Sequence, residues 1–416
     1  MSLRILVVSQ FCWPENLRIN ELCIELVKRG NAVTVLTGWP NYPDGTIYPE
    51  FRARPADFSS FQGVEVVRVP IWPRQRNTFS LLLNYLTLAA SASTFGAWRL
   101  RGRPFDVVFV FGASPVTQGF PGVLFRRLKR APLVFWVLDQ WPESLAAVGV
   151  ITSKWALRLV GWGVSFIYNR CDSILSQSHT LKPLISKYTR NPERIGYFPN
   201  WSEGAENVAS ATPAPEVPAK DGVFNVMYAG NIGATQDFGA ILDAASLLRE
   251  HSRIRWLIVG DGRMAPWVRE EIGRRGLGDS MLMLGRHPIE RMPSFFRHAD
   301  ALLLALRDDP VFALTVPGKL QAYLAAGIPI IGMLNGEGTR IIEDSGAGIA
   351  CAAGDSAALA AAVLRMASLP PDERAEMSRR GRAYALAEFD RQRLVENLDQ
   401  HMQTLVRAHP RKEAGA

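Results

Sequence analysis

The sequence has 416 residues, of which 48% are hydrophobic and 21% are charged, and its mean hydropathy is +0.02. These values exclude a fibrous or intrinsically disordered chain and fit a globular protein with two domains of ordinary size. The formal net charge of +8 favours an anionic partner, such as a nucleotide, a phospholipid surface or nucleic acid.

The four cysteines are widely spaced and form no CxxC pair, so neither a zinc site nor a disulfide scaffold is expected. A reducing cytoplasm is the simplest compartment for such a chain. The apolar run at the N-terminus is too short for a signal peptide. Because no uninterrupted apolar stretch is long enough to cross a bilayer, we expect no membrane-spanning helix.

The first half of the chain alternates strand-like and helix-like segments. Residues 18–29 and 79–100 have helical character. The strand-like runs are β-branched and mostly apolar, as in strands buried on both faces of a parallel sheet. These runs are 4–9, 32–38, 64–71, 106–112, 132–139, 173–178 and 195–200. They predict a parallel α/β domain over 1–202, with ligands at the carboxyl ends of its strands.

Residues 203–222 lack apolar periodicity and are rich in Ala, Pro and Glu, which predicts a linker or an extended surface loop. The alternation then repeats over 223–387, with runs such as NVMYAG, IRWLIVGDG, ALLLAL and IPIIGML. Two Rossmann-like, doubly wound parallel-sheet domains are therefore expected, with an interdomain cleft as the ligand site. Over 388–416 an amphipathic helix is expected to pack on another surface.

The segment 224–245 has the pattern of a strand, a turn and a helix. Gly230, Asn231 and Gly233 interrupt the strand, and apolar residues recur at helical spacing from about Asp237. Such a turn presents backbone N–H groups and the positive end of a helix to one point, where phosphate binds well. Turns of this kind also occur in doubly wound sheets without any ligand, so both readings stay open.

The segment 258–267 matches the loose dinucleotide pattern G-x-G-x-x-A after a strand and before a helix. That pattern requires an acidic residue at the end of the next strand. Asp279 lies before that strand, and Gly285 and Arg286 occupy the diagnostic place after it. The context therefore argues against NAD.

Two charged side chains are candidates for chemistry. Lys319 lies near the start of a predicted short helix, where its ammonium could meet an anion, although an isolated lysine is more often solvated. The surrounding residues do not form a P-loop. Asp139 follows an apolar strand, where it could act near the reacting centre or only cap a helix. Asp308 and Asp309 resemble a metal-binding pair, but Pro310 makes an ordinary turn the better interpretation.

Two basic clusters each follow an apolar helical stretch of the first domain. One contains Arg99, Arg101 and Arg103, and the other contains Arg126, Arg127, Lys129 and Arg130. Such helices can lie on an anionic membrane surface, or they can be core-packed helices with charged ends. Nucleic acid is not expected, because no recognised binding motif accompanies the charge.

Six ordered motifs carry a resemblance that covers nearly the whole chain. They are TGWPNYPDG (37–45), LDQWPES (138–144), PNWSE (199–203), YAGNIGATQDF (228–238), VGDG (259–262) and VPGKLQAYLAAGIPII (316–331). The chain resembles the bacterial glycosyltransferases of family 4, which have the GT-B fold of two Rossmann-like domains. Within that family it is similar to the WbuB-like branch of surface-polysaccharide enzymes.

The resemblance implies that the second domain binds a sugar nucleotide, with a UDP-linked sugar as the expected donor, and that the first holds a glycan or polyprenyl-diphosphate-linked acceptor. It implies acceptor contacts by Glu15, Asn16 and Tyr42, catalytic roles for Asp139 and Lys319, and a terminal helix that crosses back to the first domain. No metal or cofactor is expected, and the location is cytoplasmic or peripheral on the inner face of the cell membrane. The implied donor residues are Gly230, Asn231, Gly233, Gln236, Gly285, Arg286, His287, Pro317, Gly318 and Lys319.

The chain departs from the family pattern at two places. The turn after the first donor-domain strand has Asn231 and Gln236 where broader members carry Arg and Lys. Ala322 stands directly before the Y-L-A-A-G segment and Leu314 eight residues earlier, and both replace glutamates of the family's E-x7-E motif. These departures bear on donor affinity and identity.

Sequence reasoning therefore leads to a retaining glycosyl transfer, with electrostatic stabilisation of the departing diphosphate by Lys319, Arg286 and turn amides. Three rival functions remain at this stage. They are a non-hydrolysing sugar-nucleotide epimerase, an NAD-dependent oxidoreductase, and a sugar-nucleotide-binding protein with weak or no turnover.

Overall fold

A computed structural model describes residues 1–74, 78–147, 149–202 and 208–409. Their contacts form two compact units. Unit 1 contains Met1–Phe198 together with the chain from Gln392 onward, and unit 2 contains Pro199–Arg391. Residues 203–207 of the predicted linker, which include Glu203, and residues 410–416 of the tail lie outside the described residues.

Unit 1 is built on an eight-stranded sheet in the order β3-β4-β2-β1-β5-β6-β7-β8. Neighbouring strands are parallel except for the β3–β4 pair, which is antiparallel. The strands are β1 (Arg4–Val8), β2 (Ala32–Gly38), β3 (Ser60–Phe61), β4 (Val64–Val69), β5 (Val107–Gly112), β6 (Leu133–Val137), β7 (Ser173–Ser176) and β8 (Ile195–Tyr197). The central strands are buried throughout, as expected for a sheet with helices on both faces.

Helices connect these strands. They are α1 (Arg18–Lys28), α2 (Pro49–Ala53), α3 (Thr78–Ser91), α4 (Ala97–Arg99), α5 (Gly119–Lys129), α6 (Glu143–Ala147), α7 (Lys154–Tyr168) and α8 (Lys182–Ser186). The single helix predicted over 79–100 is divided by a π-helical turn at Ala92–Gly96. There Gly96 approaches β2 so closely that an added Cβ would lie 3.0 Å from the Leu36 side chain. The helical pattern of the sequence does not predict this division.

Unit 2 has a six-stranded parallel sheet in the order β11-β10-β9-β12-β13-β14. The strands are β9 (Phe224–Ala229), β10 (Ile254–Val259), β11 (Met281–Gly285), β12 (Ala301–Ala305), β13 (Ile330–Met333) and β14 (Gly348–Cys351). The order reverses between β9 and β12, and in open α/β sheets ligands bind beyond the carboxyl ends of the strands at such a point. The prediction of doubly wound parallel α/β domains is confirmed for both units.

The helices of unit 2 cover this sheet. They are α9 (Phe238–Leu247), α10 (Ala265–Arg274), α11 (Met292–Phe296), α12 (Pro310–Ala313), α13 (Gly318–Ala326), α14 (Glu337–Ser345), α15 (Ser356–Ser368) and α16 (Pro371–Glu388). α9 packs on α15, and α13 packs on α16. Two buried clusters, one on each face of the sheet, form the core of the unit.

Residues 208–222, which composition predicts to be a linker or a surface loop, pack partly against the core of unit 2. Val208, Ala214 and Val217 are buried in the same cluster as Phe295, and the Ala214 N–H donates to the Ser294 carbonyl at 3.1 Å. The segment is irregular, so its few apolar contacts leave no periodic signal in the sequence.

The last helix, α17 (Arg391–Ala408), is amphipathic, and Leu394, Leu398 and Met402 on its inner face are buried. Asp399 accepts a 2.9 Å hydrogen bond from the Asn31 side-chain amide. The Asn31 side-chain oxygen in turn accepts from the Leu3 N–H at 2.9 Å, next to β1. Within unit 1 this buried polar chain connects α17 to the start of the sheet. Among the described residues, no helix combines the length and apolar character needed to cross a bilayer.

Asp399→Ala should lower the free energy of unfolding by about 1–3 kcal/mol, because the buried Asn31 amide loses a charged acceptor. The measurement is urea denaturation followed by circular dichroism. Glu396→Ala, on the exposed side of the same helix, is the control and should change stability by less than about 0.5 kcal/mol. Equal effects of the two substitutions would contradict the role given to the Asn31–Asp399 pair.

Candidate functional site

The turn after β9 brings a lysine against a glycine. Gly230 has φ = +137°, a backbone conformation that favours glycine. A Cβ at this position would lie 2.3 Å from Cε and 2.7 Å from Nζ of Lys319. Glycine is therefore required at position 230 both by the backbone and by the passage of the Lys319 side chain.

The ammonium of Lys319 is held over an aromatic ring. Its Nζ lies 3.8 Å from the centroid of the Tyr228 ring and donates a hydrogen bond to the Tyr228 hydroxyl. That hydroxyl donates in turn to the Asn231 carbonyl. Among the described residues Lys319 forms no ion pair, and burial lowers the pKa of Lys319 to about 7. The site thus holds a cation that an incoming anion would stabilise.

Most amides of the Gly230–Gly233 turn are already used by the chain. The Gly230 N–H donates to Val259, the Ile232 N–H to Asp261, and the Gly233 N–H to the Gln236 side chain, at 2.8, 2.9 and 3.0 Å. Of the turn's four amides, that of Asn231 has no hydrogen-bond acceptor within the described chain. The turn can therefore offer an anion fewer donors than its sequence pattern predicts.

The start of α13 supplies further donors beside the turn. Pro317 precedes the helix, and the N–H groups of Gly318 and Lys319 belong to its first turn, where no intrahelical acceptor exists. Because Lys319 reaches Gly230, this helix end lies close to the β9 turn. The positive end of the helix adds to the attraction for an anion.

The VGDG turn after β10 packs directly on the β9 turn. A Cβ at Gly260 would lie 1.9 Å from the Gly230 carbonyl oxygen, and one at Gly262 would lie 2.4 Å from the Ile232 carbonyl oxygen. The Gly260 N–H donates to the Gly285 carbonyl at 2.7 Å, which joins the end of β11 to the same assembly. These contacts explain the glycines of the dinucleotide-like pattern without a nucleotide bound to them.

A cavity of about 440 Å³ opens at the ends of β9, β10 and β11. This volume lies in the usual range for small-molecule sites. Arg286 is exposed at its edge, whereas the His287 ring bonds the Leu284 carbonyl at 2.9 Å and lies 4.4 Å from the Phe295 ring. The cavity is lined by Gly230, Asn231, Val259, Gly260, Asp261, Gly262, Arg286, His287 and Met292.

The structure therefore places Gly230, Asn231, Arg286 and His287 around one cavity, with Lys319 in contact with Gly230. Two other predicted donor residues have internal partners: Gln236 braces the turn, and Gly285 accepts from Gly260. Sequence reasoning did not identify Tyr228, Asp261, Gly262 and Met292 as part of this site. An aromatic residue two positions before the turn glycine was the available signal for Tyr228.

At the two positions where the family pattern has glutamates, Leu314 and Ala322 supply no carboxylate to this region. Ala322 packs against the core of unit 2. The neighbouring Gln321 is buried and donates to the Asn200 carbonyl at 2.7 Å. Asp309 caps α12 by accepting from the Val311 N–H at 2.8 Å, and Asp308 accepts from the Asn335 amide at 2.9 Å. The acidic pair is thus part of an ordinary turn.

In unit 1, Glu15 joins two loops at the carboxyl ends of β1 and β2. Its carboxylate accepts from the N–H groups of Asn41 and Tyr42 at 2.8 and 2.9 Å, and from that of Cys12 at 3.1 Å. Burial raises the pKa of Glu15, although these hydrogen bonds oppose that shift. Asn16 is exposed beside it. Glu15 therefore fixes the loop that carries Tyr42.

Asp139 follows β6 at the same edge of the sheet and accepts a 3.0 Å hydrogen bond from the Trp141 indole. Nearer to β1 is a buried polar group that the sequence did not reveal. The Gln10 amide donates to Asn84 at 2.8 Å, while the Gln10 N–H donates to Gln118 at 2.8 Å. The side-chain oxygen of Gln10 has no partner within the described chain.

A second cavity, of about 710 Å³, lies in unit 1 between β4, the loop after β2 and the segment at Phe95–Arg99. It is larger than the cavity in unit 2 and is lined mainly by aromatic and arginine side chains. The guanidinium of Arg68 there bonds three backbone carbonyls, those of Phe58, Gly38 and Trp13. The larger volume does not by itself make this cavity the reactive site. Among the described residues, a half-buried lysine without an ion pair beside a free turn amide is found in unit 2, where Lys319 and the Asn231 N–H lie near Arg286.

The two predicted basic clusters are partly engaged within unit 1. Arg103 pairs with Glu65, Arg126 forms a bidentate pair with Asp172, and the Lys129 ammonium donates to the carbonyls of Leu100 and Arg103. In the described structure Arg101, Arg127 and Arg130 form no ion pair. The charge available to an external anion is therefore smaller than the sequence suggests.

Two family models match the chain in succession. The model described as "Glycosyl transferase 4-like domain" matches residues 16–201, and that described as "Glycosyl transferases group 1" matches residues 223–368. The two matches fall on unit 1 and unit 2 in turn. The cavity beside Gly230 lies within the second match.

Curated relatives and solved structures agree with these matches. WbjE of Pseudomonas aeruginosa, named a probable glycosyltransferase, is 28% identical over 269 residues, which is 62% of this chain and 66% of that protein. WcaI of Escherichia coli K12, named provisionally as a colanic acid biosynthesis glycosyl transferase, is 24% identical over 78% of this chain and 82% of its own. HepE of Anabaena, solved in complex with UDP, has a TM-score of 0.70 at 15% identity and covers 97% of this chain and 100% of its own.

Gly260→Ala should lower the free energy of unfolding by about 2–4 kcal/mol, because the new Cβ would collide with the Gly230 carbonyl at a positive φ. The measurement is chemical denaturation of the full chain. Gly278→Ala is the control, since its Cβ would meet nothing within 4 Å, and it should change stability by less than about 0.5 kcal/mol. A neutral effect at Gly260 would show that the two turns do not pack as described.

Proposed function

Because the chain belongs to the family 4 glycosyltransferases, with two Rossmann-like domains of the GT-B type, we propose that it transfers a hexosyl unit from a UDP-sugar with retention of anomeric configuration. The observation that carries the donor assignment is the contact between the desolvated ammonium of Lys319 and the Gly230 turn, beside the 440 Å³ cavity of unit 2. A diphosphate is the part of such a donor that would stabilise this cation.

The donor is proposed to lie along the carboxyl ends of β9, β10 and β11. The diphosphate meets Lys319, the Asn231 N–H and the start of α13, which also includes Pro317 and Gly318. The base lies toward Gly285, Arg286 and His287, of which Arg286 and His287 line the same cavity as Gly230 and Asn231. Gly233 and Gln236 contribute by holding the turn rather than by contacting the donor.

In the proposed reaction the bond between the anomeric carbon and the diphosphate oxygen breaks, and a bond from that carbon to the acceptor oxygen forms on the same face. The departing diphosphate oxygen takes the proton of the acceptor hydroxyl. Lys319, Arg286 and the Asn231 amide stabilise the charge that develops on the diphosphate. Because these groups already neutralise that charge, the transfer is proposed to need no metal ion.

The acceptor is proposed to be a glycan or a polyprenyl-diphosphate-linked sugar bound by unit 1. Glu15 acts through the loop that it holds, so Asn16 and Tyr42 are the groups left to contact the acceptor. Asp139 is proposed to orient the acceptor hydroxyl or to stabilise the oxocarbenium-like centre. Its bond to Trp141 fixes one carboxylate oxygen and leaves the other available.

The biological setting is proposed to be surface-polysaccharide biosynthesis, in the WbuB-like branch of the family, on the cytoplasmic side of the cell membrane. The name of WcaI refers to the synthesis of such a polymer, and a polyprenyl-linked acceptor would place the reaction at a membrane surface.

A second candidate is a protein that binds a nucleotide sugar but turns it over weakly or not at all. Ala322 and Leu314 favour it, because no carboxylate replaces the two glutamates of the family pattern. An epimerase that needs no acceptor would use the same donor site. Product analysis separates these functions, since only the transferase forms a new glycosidic bond.

Donor affinity should depend on pH through Lys319. Since the pKa of Lys319 in the free protein is about 7, the ammonium loses its proton as the pH rises above that value, whereas a bound diphosphate restores it. The affinity for UDP-N-acetylglucosamine or UDP-glucose should therefore fall by about tenfold per pH unit above about pH 7. Isothermal titration calorimetry in buffers of different ionisation enthalpy should show proton uptake on binding.

Two variants control this experiment. Lys319→Met should weaken binding at pH 7 by about tenfold or more and remove the pH dependence, because no titrating cation remains. Lys319→Arg keeps its charge throughout this range, so any binding it retains should not vary with pH. If Lys319→Met binds the donor as the wild type does, Lys319 does not contact the diphosphate.

Metal independence is tested by hydrolysis or transfer of the radiolabelled donor in excess EDTA. The wild type should keep its full rate, because Lys319 and helix-end amides supply the electrostatic stabilisation. Lys319→Met should lose roughly 100-fold or more in rate under the same conditions. A rate that collapses in EDTA and returns with Mg²⁺ would contradict the proposed mechanism.

A further inference from the structure

Helix α3 of unit 1 has an exposed apolar side. Phe79, Leu82 and Leu86 are exposed, with Phe79 72% accessible, while the inner side buries Ser80 and Asn84 together with Tyr85 and Leu88. The side chains of Ser80 and Asn84 are hydrogen-bonded on the inner side. Ser80 donates to the Pro73 carbonyl at 3.1 Å, and Asn84 donates to the Trp72 carbonyl. A helix that faces water on one side normally carries polar residues on that side.

Helix α7 shows a second exposed apolar stripe. Trp155, Leu159, Trp162 and Phe166 recur at intervals of four, three and four residues, and the two tryptophans are 72% and 65% accessible. The opposite side of the helix is buried and carries Val164 and Ile167. Both sides of α7 are therefore apolar, although only one of them meets the core of unit 1.

Helix α5 joins the two stripes into one surface. It packs against α3 on one side and α7 on the other. Its exposed Phe120 ring lies 5.9 Å from the Phe166 ring, so the apolar surface continues from α5 to α7. We call the exposed side of α3, α5 and α7 the three-helix face. Isolated exposed apolar residues are common, but exposed apolar residues that adjoin one another on neighbouring helices indicate a partner.

The charged residues of the three helices have one sign. None of the three helices contains Asp or Glu. Arg127 and Arg158 are exposed on α5 and α7, and the Arg170 guanidinium lies 3.7 Å from the centroid of the Phe166 ring at the end of α7. Tryptophan with arginine at the edge of an apolar surface suits the boundary between lipid headgroups and acyl chains.

We propose that the three-helix face is a membrane-docking surface on which α3 and α7 lie in the interfacial plane of a bilayer that contains anionic lipids. Trp155 and Trp162 enter the acyl-chain boundary, and Arg127 and Arg158 meet the headgroup phosphates. The docking surface is argued from the three helices alone. Only its role, which is to bring unit 1 to a lipid-linked acceptor, rests on the proposed function. The surface shares Arg127 with the basic clusters identified in the sequence, and it adds the apolar side of α7 and the outward leucines of α3.

The test is flotation of the full chain with vesicles of phosphatidylcholine alone or mixed with phosphatidylglycerol. The wild type should float with the mixed vesicles. Trp155→Ser/Trp162→Ser should reduce the bound fraction at least about tenfold, because two interfacial anchors are lost. Leu247→Ser/Leu386→Ser, at two exposed leucines of unit 2, is the matched control and should bind as the wild type does.

The electrostatic part is tested separately. Arg127→Glu/Arg158→Glu should reduce binding to the mixed vesicles about tenfold or more, and salt should weaken wild-type binding. Arg269→Glu/Arg297→Glu, at exposed arginines of unit 2, should have little effect. Quenching of wild-type tryptophan fluorescence by brominated phosphatidylcholine, lost in Trp155→Ser/Trp162→Ser, would place these residues in the bilayer.

Three outcomes would overturn the proposal. They are absence of flotation, equal flotation of the wild type and the double tryptophan variant, and a lipid-free dimer that the same variant abolishes. The last would identify the three-helix face as a contact between copies of this chain. Binding of UDP in vesicle-free solution should be the same in every variant, so loss of vesicle binding with intact UDP binding rejects only the docking surface. Loss of UDP binding with intact vesicle binding would reject only the proposed donor site.

Discussion

The contact between Lys319 and Gly230 is the constraint on which the proposed donor site depends. Glycine at 230 leaves room for the lysine stem, and the Tyr228 ring and hydroxyl hold the ammonium in place. Burial of that ammonium lowers its pKa to about 7 and leaves it without a counter-ion in the described chain. An anion that reaches this point is therefore stabilised by the charge, and its binding keeps the ammonium protonated.

The rest of unit 2 keeps this contact in position. The VGDG turn packs on the β9 turn at distances that exclude any side chain at 260 and 262, and Gly260 connects both turns to the end of β11. Tyr323 bonds both the N–H and the carbonyl of Ala229 at the end of β9. A group whose pKa depends on desolvation needs such rigid surroundings, because a small displacement would expose it to water.

Unit 1 also depends on buried polar contacts that hold its loops in position. Polar groups such as Glu15, Gln10 and Asn84 are turned inward, where they fix loops and helix positions at the carboxyl end of the sheet. Apolar residues are exposed on the outside of α3 and α7, in addition to those that these helices bury. The inward polar groups and the outward apolar ones together leave unit 1 with a surface that is poorly matched to water.

The sequence by itself determined the parallel strands of both sheets, since buried parallel strands leave apolar runs bounded by turns, but it did not predict the two-residue antiparallel strand β3. It also identified the lysine and the turn glycines as candidates. It could not give the number of free amides at the turn, the break in the helix at Ala92–Gly96, or the burial of Val208 and Val217. Only the tertiary structure decided that the VGDG glycines serve packing, that Arg103 and Arg126 are internally paired, and that Tyr228 holds Lys319. The physical reason is that local patterns report which face of an element is buried, whereas partners distant in the chain are set by how the elements meet.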